Sequence, residues 1–145
     1  MPIKPEMRGF YPIDWPQLSA SIRFRRANGR CEQCRRPHKQ LVCQLTDGRW
    51  YDGEAQRWRD EKGRGTRTNL PAPKHLPSKI PARFVYVVIA CAHLDHDVAN
   101  NDAANLRALC QRCHLAHDRP RHRTQRWLTW RASKAIGDLF TGQYR

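Results

Sequence analysis

Cys91-Ala92-His93-Leu94-Asp95-His96-Asp97, followed by Asn105-Leu106-Arg107-Ala108-Leu109-Cys110-Gln111-Arg112-Cys113-His114, is the stretch on which the reading of this chain turns. Arg83 to Leu94, dense in Val and Ile, reads as the strongest strand and runs straight into it. A loop through Asn100-Asn101-Asp102 comes next, then a short helix beginning around Cys110. Strand, loop and helix in this order predict an α+β fold. The stretch also places Asp95, His96, Asn105 and His114 within 20 residues, interlaced with two cysteines.

Those cysteines have counterparts. Cys31-x-x-Cys34 and Cys110-x-x-Cys113 are two pairs with two-residue gaps. Such a gap turns two thiolates back onto one tetrahedral ion at ~2.3 Å, so the four predict a structural Zn²⁺ site. The 75 residues from Arg35 to Leu109 exceed an ordinary finger spacing. The ion would therefore clamp a distant N-terminal segment onto the helix carrying His114. Disulfides are the alternative. Cys43 and Cys91 have no such partner and read as small buried hydrophobes in strands.

Farther out, residues 1–13 form an irregular arm with three prolines. Asp14 caps a helix with Trp15, Leu18 and Ile22 on one face, stopping near Asn28-Gly29. Leu41 to Tyr51 reads as two strands about a Thr46-Asp47-Gly48-Arg49 turn. Residues 52–81 read as a long surface loop. At the C-terminus Leu128, Ala132, Ala135, Ile136 and Leu139 share one helix face, with Arg126, Arg131 and Lys134 off it. Trp127 and Trp130 read as core residues. At 145 residues, one domain is expected.

Composition narrows the partner. The formal charge is +14 and the isoelectric point about 10.3, which calls for a polyanion, DNA first. Seven cations against Glu32 lie in residues 22–39 and seven against Asp138 in residues 119–145. Arg25, Arg26, Arg35, Arg36, Arg121, Arg123 and Arg126 are the phosphate-contact candidates, and both segments are expected on one surface. The longest apolar run, Phe84 to Ala92, is nine residues and too short for a membrane helix. With no export signal visible and cysteines in CxxC pairs, a reducing cytoplasm is expected.

The string Asp95-His96, Asn105 and Cys110-x-x-Cys113-His114 resembles the HNH (His-Me finger) nucleases over residues 31–34 and about 84–118. Its layout is similar to that of small free-standing bacterial and phage members. The resemblance implies a ββα-metal core, in which a β-hairpin and a helix enclose one catalytic ion. It also implies roles: Asp95 and His114 as ligands of that ion, His96 as general base, Asn105 as the orienting residue, and a 5′-phosphate product.

The chemistry suits these residue types. Phosphodiester hydrolysis needs a water deprotonated near neutral pH, and an imidazole of pKa ~6.5 can take the proton. A divalent ion neutralises the leaving 3′ oxygen. One carboxylate and one imidazole leave room for water and phosphate, compatible with Mg²⁺, Mn²⁺ or another transition ion. His117, one turn after His114, is a further ligand candidate. His93 either braces the loop or binds phosphate. The expectation is thus a zinc-stapled, metal-dependent endonuclease acting on double-stranded DNA. A zinc-dependent DNA-binding module without catalysis and an RNA-directed nuclease or toxin are the alternatives.

Overall fold

Trp15, Leu18 and Ile22 do start a helix, and its end sets up the first cysteine pair. In the computed structural model, which describes residues 5–134, α1 spans Trp15–Ala20 and continues as a wider π-type turn over Ser21–Arg26. The widened turn is closed by Ala27 N–H donating to Ile22 O and Gly29 N–H to Arg23 O. Asn28 and Gly29 then adopt φ of 50° and 64°, the left-handed exit that glycine tolerates best. Before α1, a 3₁₀ turn covers Pro5–Phe10.

The Asp-Gly turn behaves as its chemistry predicts. β1 (Leu41–Leu45) and β2 (Trp50–Asp52) pair antiparallel around Gly48, whose φ is 90°. One further strand in this sheet was not legible. β3 (Arg57–Arg59) pairs with β2 inside the stretch expected to be loop. Trp58 anchors that region under β1 with Cys43 and Leu45, against Tyr51, Leu70, Leu76 and Ile80. Apolar side chains 12, 6 and 4 residues apart give no periodicity, yet they suffice to tie the segment down.

The strong strand expected over Arg83 to Leu94 is in fact two. β4 (Ala82–Tyr86) closes a four-stranded sheet of order β3-β2-β1-β4, while β5 (Ile89–His93) pairs with β6 (Leu106–Cys110) in a separate hairpin. The break falls at Val87-Val88 because their backbone groups find other partners. Val87 pairs with Gln40 and Lys39, and the Gln111 amide donates to Tyr86 O at 2.7 Å and accepts from Val88 N–H at 3.0 Å. Ile89 N–H donates to His38 Nδ1 at 2.9 Å. A side-chain amide thus stands in for a missing strand.

The main core lies between α1, the hairpin and β1–β2: Ile22, Val42, Trp50, Val87, Ile89, Leu106 and Leu109 pack around the two cysteine pairs. Cys43 is buried and Cys91 half-buried in their strands, and burial raises both thiols, Cys91 to about 11.

The chain divides into two compact units after His114. α2 (Gln111–Lys134) is one helix with Pro120 inside it, not a short helix and a second one. Proline removes one backbone bond there, at a cost of about 3 kcal/mol in a helix interior, without ending the helix. From Arg119 to Lys134 every residue is exposed. Trp127 and Trp130, expected in the core, are 50% and 59% exposed; helical spacing says which side would pack, not that anything lies against it. Ala135, Ile136, Leu139 and Arg145 lie outside the described residues. Among the described residues no helix is long and apolar enough to cross a membrane.

Candidate functional site

The four cysteines converge. Cys31, Cys34, Cys110 and Cys113 are all buried, with their sulfurs within 4.8 Å of one another. Cys34 Sγ and Cys110 Sγ are 3.5 Å apart, far beyond the ~2.05 Å of a disulfide. A tetrahedron of ~2.3 Å metal–sulfur bonds has edges of about 3.8 Å, so the donor set fits a structural zinc ion. Local geometry builds the knuckle. Arg35, at φ 64°, turns the chain so that its N–H donates to Cys31 O at 2.8 Å. Cys110 N–H donates to Cys31 Sγ at 3.3 Å, a contact that favours a thiolate. Hydrogen bonds from Cys110, Cys113 and Cys34 push the Cys31 thiol down, whereas donating to Cys110, Cys31 and Cys34 pushes Cys113 up. Four sulfurs this close cannot all ionise without a cation among them.

Gly63 seals the knuckle from outside. Its φ is 84°, and a Cβ there would stand 2.7 Å from Cys34 O and 2.8 Å from Cys34 C. Glu32 ties the pair to the hairpin: its N–H donates to Ala108 O at 2.9 Å and its carboxylate accepts from Ala108 N–H at 2.7 Å.

The second cluster is the loop between β5 and β6. Asn105 closes it. Its Oδ1 accepts from Asp95 N–H at 3.1 Å, and its Nδ2 donates to Asp95 Oδ1 at 2.9 Å and to Asn100 O at 2.8 Å. Asp97 N–H reaches Asp95 Oδ1 at 2.9 Å and Asn100 Nδ2 reaches Oδ2 at 2.7 Å. These donors, the Asp97 amide foremost and then Asn105, hold the Asp95 carboxyl below its usual range. His96 follows with φ 64°, strained for a residue with a side chain and of the kind that accumulates at functional sites. His96 and Asn105 are half-exposed and Asp95 is exposed.

His93 is a brace. It is buried, lies stacked 5.1 Å from Trp15, meets Tyr11 edge-on at 5.8 Å, and bonds Asn101 Oδ1 through Nε2 at 3.1 Å. The N-terminal arm therefore holds the loop, a link that no local pattern reveals. His114 is half-buried in the first turns of α2, with His117 and Asp118 three and four residues on along the same helix. Asp118 is buried, and its Oδ2 lies 4.0 Å from His122 Nε2.

One of the expected phosphate contacts, Arg36, is corrected. Arg36 is 2% exposed; it donates to Gln44 Oε1 at 3.1 Å and Gly48 O at 3.2 Å and lies over the Trp50 ring. Arg26 pairs with both Glu32 oxygens, at 3.1 and 3.0 Å, and donates to Ala103 O and Leu106 O. Arg36 is an internal brace, a role that charge counting cannot separate from a surface one, whereas Arg26 stays exposed while making these bonds. Arg25, Arg35, Arg121, Arg123 and Arg126 are exposed.

No family model matches the chain, and no curated protein and no solved structure matches it significantly. Fold and site define an α+β protein with antiparallel sheets, a long helix and a buried four-cysteine cluster suited to a metal.

Proposed function

We propose that this chain is an HNH-type, metal-dependent endonuclease that hydrolyses DNA phosphodiester bonds, with His96 as general base. One observation carries the reading. An antiparallel hairpin, β5-β6, runs directly into α2, with Asp95-His96 leaving the first strand, Asn105 clamping the loop back onto it and His114 at the helix start. That is the order of parts a ββα-metal site requires.

In this reading Asp95 and His114 hold one divalent ion, Mg²⁺, Mn²⁺ or another transition ion, and His117 is a further candidate ligand on α2. The ion supplies charge neutralisation at the scissile phosphate and its leaving 3′ oxygen. His96 accepts the proton of the attacking water and directs the resulting hydroxide to phosphorus. Asn105 positions it: three hydrogen bonds fix the turn on which the imidazole stands. The four-cysteine zinc keeps β6 and α2 in register with the Cys31–Cys34 knuckle. Double-stranded DNA is the proposed partner, approached through exposed arginines such as Arg25, Arg35, Arg121, Arg123 and Arg126.

A second reading, a zinc-dependent DNA-binding module without catalysis, has one observation in its favour. Three donors already occupy most of the Asp95 carboxylate's roughly four acceptor sites, as a purely structural loop brace would. Plasmid cleavage separates the two. The chelated protein, resupplied with Mg²⁺, Mn²⁺ or Ni²⁺, should nick or cut supercoiled DNA, and His96→Ala should lose at least about 100-fold, as general-base removal does. DNA binding without metal-restored cutting establishes the binding module. Undiminished cutting by His96→Ala removes the imidazole from the chemistry.

A further inference from the structure

The four-stranded sheet has a face that the proposed nuclease chemistry does not use. Cys43 on β1 faces Phe84 on β4, Leu41 faces Tyr86, and Tyr51 on β2 faces Trp58 on β3. Alternation puts these side chains on one side of the sheet. The Leu70–Ile80 segment covers that side at Cys43, Leu45 and Trp58. It stops short of the β4 edge, where Leu41 (62%), Phe84 (62%) and Tyr86 (53%) stand exposed. Between covered and open parts runs a cleft of about 580 Å³, with Tyr51, Phe84 and Pro73 as walls and Lys74 and His75 at its lip.

We propose that this face is a stacking platform for single-stranded nucleic acid. Charge selects a polyanion. From Lys62 to Leu94 the chain carries six Lys or Arg and not one acid; Arg64 is paired with Asp60 and Arg83 falls on the other side of the sheet, but Lys74 lines the cleft itself. Spacing selects a single strand. Phe84 and Tyr86, two residues apart on one strand, lie about 6.8 Å from each other along it. That is twice the ~3.4 Å per nucleotide of a duplex strand, so successive bases can stack on the two rings only when the strand is stretched and unpaired. Aromatic rings with a cationic lip bind bases in this way largely independently of sequence. The Tyr51 ring is held edge-on to Trp58 at 5.4 Å, so the cleft's inner wall is set before any ligand arrives. Phe84 and Tyr86 extend the platform outward along the sheet edge.

The platform stands apart from the cleavage reading and is tested without it. The zinc-loaded protein is titrated, with no other divalent ion, into a fluorescein-labelled oligothymidylate of about 12 nucleotides and into a duplex of equal length. Phe84→Ala and Tyr86→Ala should each weaken the single strand at least about fivefold and leave duplex affinity and the salt slope unchanged. Lys74→Gln should lower the single-strand slope by about 0.7. Both rings are exposed, so matching thermal melts are expected of the alanine variants. Single-strand affinity unchanged in Phe84→Ala/Tyr86→Ala, or lost equally for duplex, overturns the platform. So does a wild-type dimer that the same pair of substitutions converts to monomer, which makes the face a contact between copies.

Discussion

Gly63→Ala tests how tightly the cysteine knuckle is enclosed. Two costs add at this position. The first is conformational: φ of 84° places a residue with a Cβ in left-handed space, at about 1–2 kcal/mol. The second is steric, because the new methyl would meet Cys34 O at 2.7 Å and Cys34 C at 2.8 Å. Those atoms belong to the knuckle backbone, which cannot swing aside as a side chain does, and overpacking of this kind costs about 1–3 kcal/mol. The sum is about 2–5 kcal/mol, or roughly 4–20 °C in melting temperature at 2–4 °C per kcal/mol for a chain this long. Gly29→Ala is the control. Its φ is 64°, but among the described residues the only neighbour within 4 Å of a built Cβ is Phe24 Cδ1 at 4.0 Å, so it bears the first cost alone. Thermal melts should therefore rank wild type above Gly29→Ala above Gly63→Ala. A chromogenic chelator should withdraw zinc faster from Gly63→Ala only. Equal melts for the two variants, or unchanged zinc release in Gly63→Ala, would refute the steric argument.

Asn105→Ala removes three hydrogen bonds from the β5-β6 loop; metal-dependent cleavage should fall by ten- to a hundredfold, about 1.4–2.7 kcal/mol of barrier, with the zinc content unchanged, and full activity would discard the positioning role. Asp52, 1% exposed, is paired with Arg59 at 2.6 Å and Arg30 at 3.3 Å. Burial works to raise its pKa, but the Arg59 hydrogen bond, the Ala55 amide and the two guanidinium charges outweigh it and lower the value. A depressed folded pKa gives stability that is present above the unfolded value of ~3.9 and is lost as pH falls through the folded one. Urea midpoints should accordingly drop below about pH 4 in wild type and much less in Asp52→Asn, which at neutral pH is destabilised by about 3–5 kcal/mol. Gln111→Leu leaves Tyr86 O and Val88 N–H without their bridge; amide exchange at Val88 should accelerate at a cost of about 1 kcal/mol, and unchanged exchange would mean the crossover holds without it.

What the amino-acid order determined by itself was local. Two-residue gaps made each cysteine pair a chelating knuckle, Asp47-Gly48 made a turn, Asn28-Gly29 ended a helix, and Asp95-His96 followed a strand. These features act over a few residues, where φ, ψ and side-chain reach settle the outcome. The choice of partners at long range belonged to the tertiary structure. It split the Val-rich segment into two sheets by offering Gln111, His38 and the Lys39-Gln40 backbone as alternative partners. It turned Arg36 inward, tied Arg26 to Glu32 and the Ala103 carbonyl, set His93 against Trp15, and left Trp127, Trp130, Phe84 and Tyr86 exposed. Periodicity and charge say what a side chain can bury or bind, whereas burial itself depends on which other segment arrives there, and that is decided by the whole chain at once.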